Sequence, residues 1–246
     1  MIGCFITSDS QACPSVCTLA KRIMSAIVMS DSHARLAKRF AGRVQIAAGF
    51  EPRPNIRHVV FDFDGTLSLV REGWPEVMVP MFEELLPEAE GDTPESVRQM
   101  LLDDIMTLNG KQTIYQMIRF AERVAERGGT PEDPLEYKHE YLRRLEKRIN
   151  SRIAGLQGGE VSSEQYLLHG SLNLLEALKS RGMQLYLASG TDEVYVKREA
   201  KLLGVVEYFG EHIHGALDDY KSFSKRQVIE RILRQNQVSG EQLLIF

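Results

Sequence analysis

The spacing of apolar residues changes along this chain. Val59, Val60 and Phe61 form an unbroken apolar run, as expected of the end of a short buried strand. It delivers Asp62-Phe63-Asp64-Gly65-Thr66 into a turn. From Trp74 the apolar residues recur at i, i+3 and i+4. This predicts helices over Trp74–Leu86, Pro94–Leu108, Gln112–Arg127 and Pro134–Ile153. Pro75, Pro94 and Pro134 sit at helix starts, where proline is tolerated, and Gly128-Gly129 and Gly158-Gly159 read as breaks. Beyond Ser163 short apolar runs alternate with helical patterns. Strands are predicted at Met183–Ala188, His212–Ala216 and Leu243–Phe246, and helices at Ser171–Ser180, Glu193–Leu203 and from Lys225 onward.

The turn after the first strand carries the chemistry. Asp62 and Asp64 are two residues apart, so in extended backbone they point the same way. Gly65 lets the chain break away directly afterwards. Two acids fixed at the C-terminal end of a strand suit a hard cation and charged chemistry. A carboxylate nucleophile, a neighbouring acid/base and a cation together suffice for phosphoryl transfer.

Asp62, Asp64, Gly65, Thr66 and Leu67 match the first motif, DxDGT plus an apolar residue, of the haloacid dehalogenase superfamily of phosphohydrolases, which the chain resembles. The resemblance implies that Asp62 attacks the phosphoryl group and becomes an aspartyl-phosphate. Asp64 then protonates the leaving group and deprotonates the attacking water, and both residues help hold Mg2+, Asp64 through its backbone carbonyl. It also implies a Rossmann-like α/β fold: a parallel sheet core with an inserted helical cap. The chain divides accordingly into an N-terminal extension or linker (1–54), a core (55–69 and 160–246) and a cap (70–159).

Further segments extend the resemblance. Met183–Ala188 leads into Ser189-Gly190-Thr191, like the family's second motif, with Ser189 and Gly190 expected at the phosphate. A small hydroxyl before a helix N-terminus suits that role, and Asp192 is expected to cap the helix. The family needs a lysine near Lys221 and Lys225; Lys225, which opens the pattern KRQVIERIL, is favoured for the phosphate. In the insertion, Arg71, Trp74, Asn109, Lys111 and Gln112 are the residues to watch. His169 stands where relatives often have proline and reads as a turn residue. The last apolar run ends where a fourth motif, a further acidic pair for Mg2+, would begin. The expectation is a truncated product whose last strand is an exposed apolar edge.

The implied activity is Mg2+-dependent hydrolysis of a small phosphomonoester. A catalytically incomplete fragment and a phosphomutase are the alternatives. Haloacid dehalogenases lack the second aspartate and P-type ATPases carry threonine there, so Asp64 argues against both.

Composition narrows this modestly. The 246 residues are 43% apolar and 26% charged with a net charge of −4, which fits a soluble globular protein and gives no pointer to nucleic acid. No apolar run is long enough to span a membrane. Cys4, Cys13 and Cys17 lie far from the acidic turn, which excludes a disulfide framework for the core and makes a reducing cytoplasm the default. Residues 1 to about 52 are basic, the run Ala34–Ala48 has the pattern of a basic amphipathic helix, and Glu51-Pro52-Arg53-Pro54 reads as a linker. Oligomeric state stays open.

Overall fold

Strand β1 (His58–Phe61) lies inside a parallel sheet, so it is apolar on both faces. The computed structural model describes residues 54–246 apart from 218, 221 and 222. In it β1 pairs in parallel with β2 (Gln184–Asp192) and with β4 (Leu243–Ile245). Strand β3 (Ile213–Ala216) pairs in parallel with β2, giving the order β3-β2-β1-β4. Val60 stands opposite Tyr186 on one side and Ile245 on the other.

The period of two along each strand separates two cores. Val59 and Phe61 pack with Leu185, Leu187 and Leu244. That cluster also takes Leu175 and Leu178 from α5 (Ser171–Lys179) and Val196 and Ala200 from α6 (Glu193–Leu202). Val60 packs on the opposite face with Tyr186, Ala188 and Leu243, against Val228 and Ile232 of α8 (Lys225–Asn236). A short α7 (Val206–Phe209) leads into β3. Each fully buried aliphatic side chain contributes about 1.5–3 kcal/mol. The sheet is thus covered by helices on both faces, as its continuous apolar strands require.

Between β1 and α5 the chain forms α1 (Pro75–Leu85), α2 (Pro94–Thr107), α3 (Thr113–Glu126) and α4 (Pro134–Gly158). These are the four helices the spacing predicts. Thr93 and Ser96 cap α2 reciprocally, and Asp133 accepts from the Leu135 N–H at 2.8 Å to start α4. Phe82 and Phe120 stack at 4.0 Å between ring centres, holding α1 to α3. Helix α4 outruns its predicted end because Ile153, Gly155 and Leu156 continue the buried stripe. It stops at Gly159, whose φ of 69° few other residues adopt readily.

Two other elements differ from expectation. β2 runs past Ala188 to Asp192, because pairing with β3 resumes at Asp192–Ala216 after a register shift. Ser189, Gly190 and Thr191 therefore belong to a strand irregularity, not to a free turn. Among the described residues β4 does stand at the sheet edge, but Leu243, Leu244 and Phe246 are buried, and Phe246 stacks on Phe61 at 4.7 Å. Of that run only Ile245 is exposed, so the apolar edge is mostly covered. The cysteines and the Ala34–Ala48 helix lie outside the described residues. No helix among those described is long and apolar enough to cross a membrane.

Candidate active site

The acidic turn is held by its own backbone. The Phe63 carbonyl accepts from the N–H groups of Thr66, Leu67 and Ser68, and the Gly65 N–H donates to the Ser68 carbonyl at 2.9 Å. Gly65 has φ of 72°, the left-handed conformation that lets the chain leave the strand. The Phe63 N–H donates to Asp62 Oδ1 at 2.8 Å, and the Asp62 N–H donates to the Phe246 carbonyl at 3.2 Å. Asp62 is thus fixed at both ends of its residue.

Lys225, the first residue of α8, places Nζ 2.8 Å from Asp62 Oδ2. Burial pushes the Asp62 carboxyl above its ordinary range; Lys225 pulls it back, and nearby Asp64 pushes it up again. Lys221 lies outside the described residues.

Asp64 is anchored across 125 and more residues of sequence. Ser189 Oγ donates to Asp64 Oδ2 at 3.1 Å, and Thr191 Oγ1 donates to the same oxygen at 2.7 Å. Ser189 Oγ in turn accepts from the Thr191 N–H at 3.0 Å. Thr191 is the residue the sequence reading missed. Its signal was there: two hydroxyls two apart on one strand face, like the two aspartates they meet. Asp192 is not a side-chain cap for α6. It pairs instead with Lys138 of α4 at 2.7 Å, because a buried ammonium needs a charged partner more than a helix end does.

These groups line a cleft of about 80 Å³ whose far wall is the helical insertion. Arg71, Trp74, Asn109, Lys111 and Tyr141 are on that wall, so four of the five watched insertion residues reach the cleft. Arg71 does not present a free guanidinium. It is buried and bidentate on Glu199, whose carboxylate is fully buried, with contacts of 2.7–3.1 Å. Arg198 then joins Glu199 at 3.1 Å to Glu146 of α4 at 2.8 Å. Burial pushes the Glu199 carboxyl up, and Arg71 works against that shift. His169 is exposed in the turn before α5, away from the cleft.

A sequence profile of haloacid dehalogenase-like hydrolases matches residues 56–246. The chain belongs to that family. Solved structures agree on the fold. A predicted phosphoglycolate phosphatase from Haemophilus somnus 129PT superposes with a TM-score of 0.51 at 16% identity, over 78% of this chain and 76% of that one. A predicted phosphatase from Clostridium acetobutylicum gives 0.50 at 17% identity, over 77% and 74%. No curated protein matches the sequence significantly.

For this haloacid dehalogenase-like hydrolase the implied metal is Mg2+. Among the described residues no group of three or more His, Cys, Asp or Glu side chains gathers to hold an ion. The donors present still fit. Mg2+ is commonly held by one or two carboxylates, with waters and substrate phosphate completing the shell. Asp64 Oδ1 is buried without a hydrogen-bond partner, beside the carboxylate of Asp62. The unpaired Asp64 oxygen is free to carry the proton of an acid/base, which leaves a cation to the Asp62 carboxylate and the Asp64 backbone carbonyl.

Gly190 meets the insertion directly. A Cβ built there would lie 2.4 Å from the Lys111 carbonyl oxygen. Gly190→Ala is therefore expected to destabilise the fold by roughly 1–3 kcal/mol through overpacking. A thermal melt checks this; an unchanged melting temperature would show that the 109–112 turn yields freely.

Proposed function

We propose that this enzyme hydrolyses a small phosphomonoester with Mg2+, through an aspartyl-phosphate on Asp62. The observation that carries the reading is the convergence on one cleft of Asp62, its partner Lys225, and an Asp64 held by two hydroxyls with one oxygen left open. Asp62, oriented by the Phe63 N–H, attacks phosphorus. Asp64 gives a proton to the leaving oxygen and then takes one from the hydrolytic water. Gly190 and Lys225 hold the phosphoryl oxygens, Ser189 joins them when its hydroxyl turns from Asp64, and Lys225 opposes the charge that develops there. Mg2+, held by the Asp62 carboxylate and the Asp64 backbone carbonyl, would neutralise the phosphate.

Helices α1–α4 serve in this reading as a cap, residues 70–159, over a core of 55–69 and 160–246. The cap wall of Arg71, Trp74, Asn109, Lys111 and Tyr141 meets the alcohol part of the substrate. The substrate in this reading is a small phosphorylated metabolite, with no nucleic-acid or membrane partner. The reading places the enzyme in the cytoplasm.

The test is phosphate release from a panel of small phosphomonoesters while Mg2+ is titrated. Saturable, Mg2+-dependent release is expected. No release from any ester at any Mg2+ concentration would refute the reading, and phosphate migration within a substrate without release would make the enzyme a mutase.

Thr191→Val removes one hydroxyl and keeps the shape. A hydrogen bond to a charged group contributes about 1.5–3 kcal/mol. If all of it acts in the transition state, kcat falls roughly 10- to 150-fold. Steady-state kinetics on the variant decide this; an unchanged kcat would mean that Ser189 alone positions Asp64.

A further inference from the structure

Gln112 stands at the N-terminal boundary of α3, yet its side chain does not cap that helix. It crosses to the core instead. Nε2 donates to the Phe223 carbonyl at 2.7 Å and to the Tyr220 carbonyl at 3.1 Å, and the residue is 5% exposed. Only the amide NH2 can face two carbonyl acceptors, so this orientation is fixed by chemistry. Oε1 is then left buried with no partner.

What Gln112 grips lies directly before Lys225. Phe223 is buried beneath α8, and Ser224 caps α8 by accepting from the Gln227 N–H at 3.1 Å. Lys225 then opens that helix and reaches Asp62. A second contact reinforces the grip: Tyr115 of α3 packs edge-on against Tyr220, at 6.1 Å between ring centres. The neighbouring residue, Lys111, brings its carbonyl up to Gly190. The Lys111-Gln112 pair thus touches both segments that supply phosphate-binding groups.

We propose that Gln112 is a positioning residue: by strapping the insertion's 109–112 turn to the carbonyls of Tyr220 and Phe223, it sets Lys225 against Asp62. The proposal builds on the phosphatase reading above, where Lys225 holds the phosphoryl group. It makes docking of the helical insertion a condition for assembling the phosphate site, not only for enclosing it.

The test is Gln112→Met in the full chain, which keeps the length and removes the donors. Two readouts are needed. The first is the rate of Lys225 acetylation by acetic anhydride, followed by mass spectrometry, which does not depend on activity. The second is the separation of kcat from KM at saturating Mg2+. Lys225 is expected to label several-fold faster. kcat is expected to fall roughly 10- to 100-fold, the scale for a displaced catalytic group, with a much smaller change in KM. Should Gln112→Met fail to fold, Gln112→Asn, too short to reach both carbonyls, gives the same readouts. Wild-type labelling and wild-type kcat in a folded variant would overturn the proposal. So would a loss confined to KM. If the unaltered enzyme released no phosphate from any ester, the phosphatase reading would fall, and the labelling rate alone would still decide whether Gln112 sets Lys225.

Discussion

Asp62→Asn is expected to abolish phosphate release while leaving the fold intact. An amide is isosteric with the carboxylate and still accepts from the Phe63 N–H through its oxygen. It has no anionic oxygen with which to attack phosphorus. Removing a covalent nucleophile costs on the order of 10⁴-fold or more in kcat. Stability should change little. Burial disfavours the charged form of Asp62, so neutralising it relieves that penalty and the repulsion from Asp64. Lys225 loses its partner, but its side chain is 21% exposed and keeps access to water. A phosphate-release assay beside a thermal melt separates the two effects. Retention of more than a few per cent of activity would exclude Asp62 as nucleophile. Loss of the fold would mark the Asp62–Lys225 pair as structural.

Glu199→Ala should produce the opposite profile, a large loss of stability. Glu199 is fully buried and satisfies Arg71, itself 5% exposed, through a bidentate contact, and it also meets Arg198. Truncation leaves the Arg71 guanidinium in the interior with Glu146 at 3.7 Å as its remaining acid. Breaking a buried pair from one side costs about 3–5 kcal/mol, because a charge is left uncompensated. For a folded region of this size that lowers the melting temperature by about 6–20 °C, at roughly 2–4 °C per kcal/mol. Removing both charges should be milder, since two apolar groups of similar volume leave no charge stranded. A double variant Arg71→Met with Glu199→Leu, melted beside Glu199→Ala, makes the comparison. If the single variant melted within 2 °C of the unaltered chain (a difference of about 1 kcal/mol or less), Glu146 would have to be an adequate substitute.

How far the sequence exposes this arrangement depends on how local each feature is. DFDGTL is legible because strand, acids and turn lie within a few residues, and the backbone closes the turn by itself. Three of the four insertion helices are legible because apolar period and proline starts agree, and α3 from its apolar period alone. The end of β2 is not, because extension through Ser189-Gly190-Thr191 depends on β3 pairing beyond a register shift. Thr191 was in view but without a role, since its partner Asp64 lies 127 positions away. The same distance hides the Arg71–Glu199 pair and the strap from Gln112 to Phe223. Arg71 is singled out in the sequence only as a residue to watch; the fold shows its charge already spent on Glu199. Lys225 could be placed because it opens a clear amphipathic helix, which fixes where its side chain starts.

The 25 residues of α4 form one uninterrupted helix, about 37 Å long at 1.5 Å per residue. Near its C-terminal end Arg152 donates to the carbonyls of Leu69, Val70 and Glu72, the stretch by which the chain leaves the acidic turn. Towards its other end Lys138 grips Asp192 beside the cleft. The two grips lie about 21 Å apart along the helix. One continuous helix thus ties the exit of the acidic turn to Asp192, with the Glu146–Arg198 pair as a third tie between them.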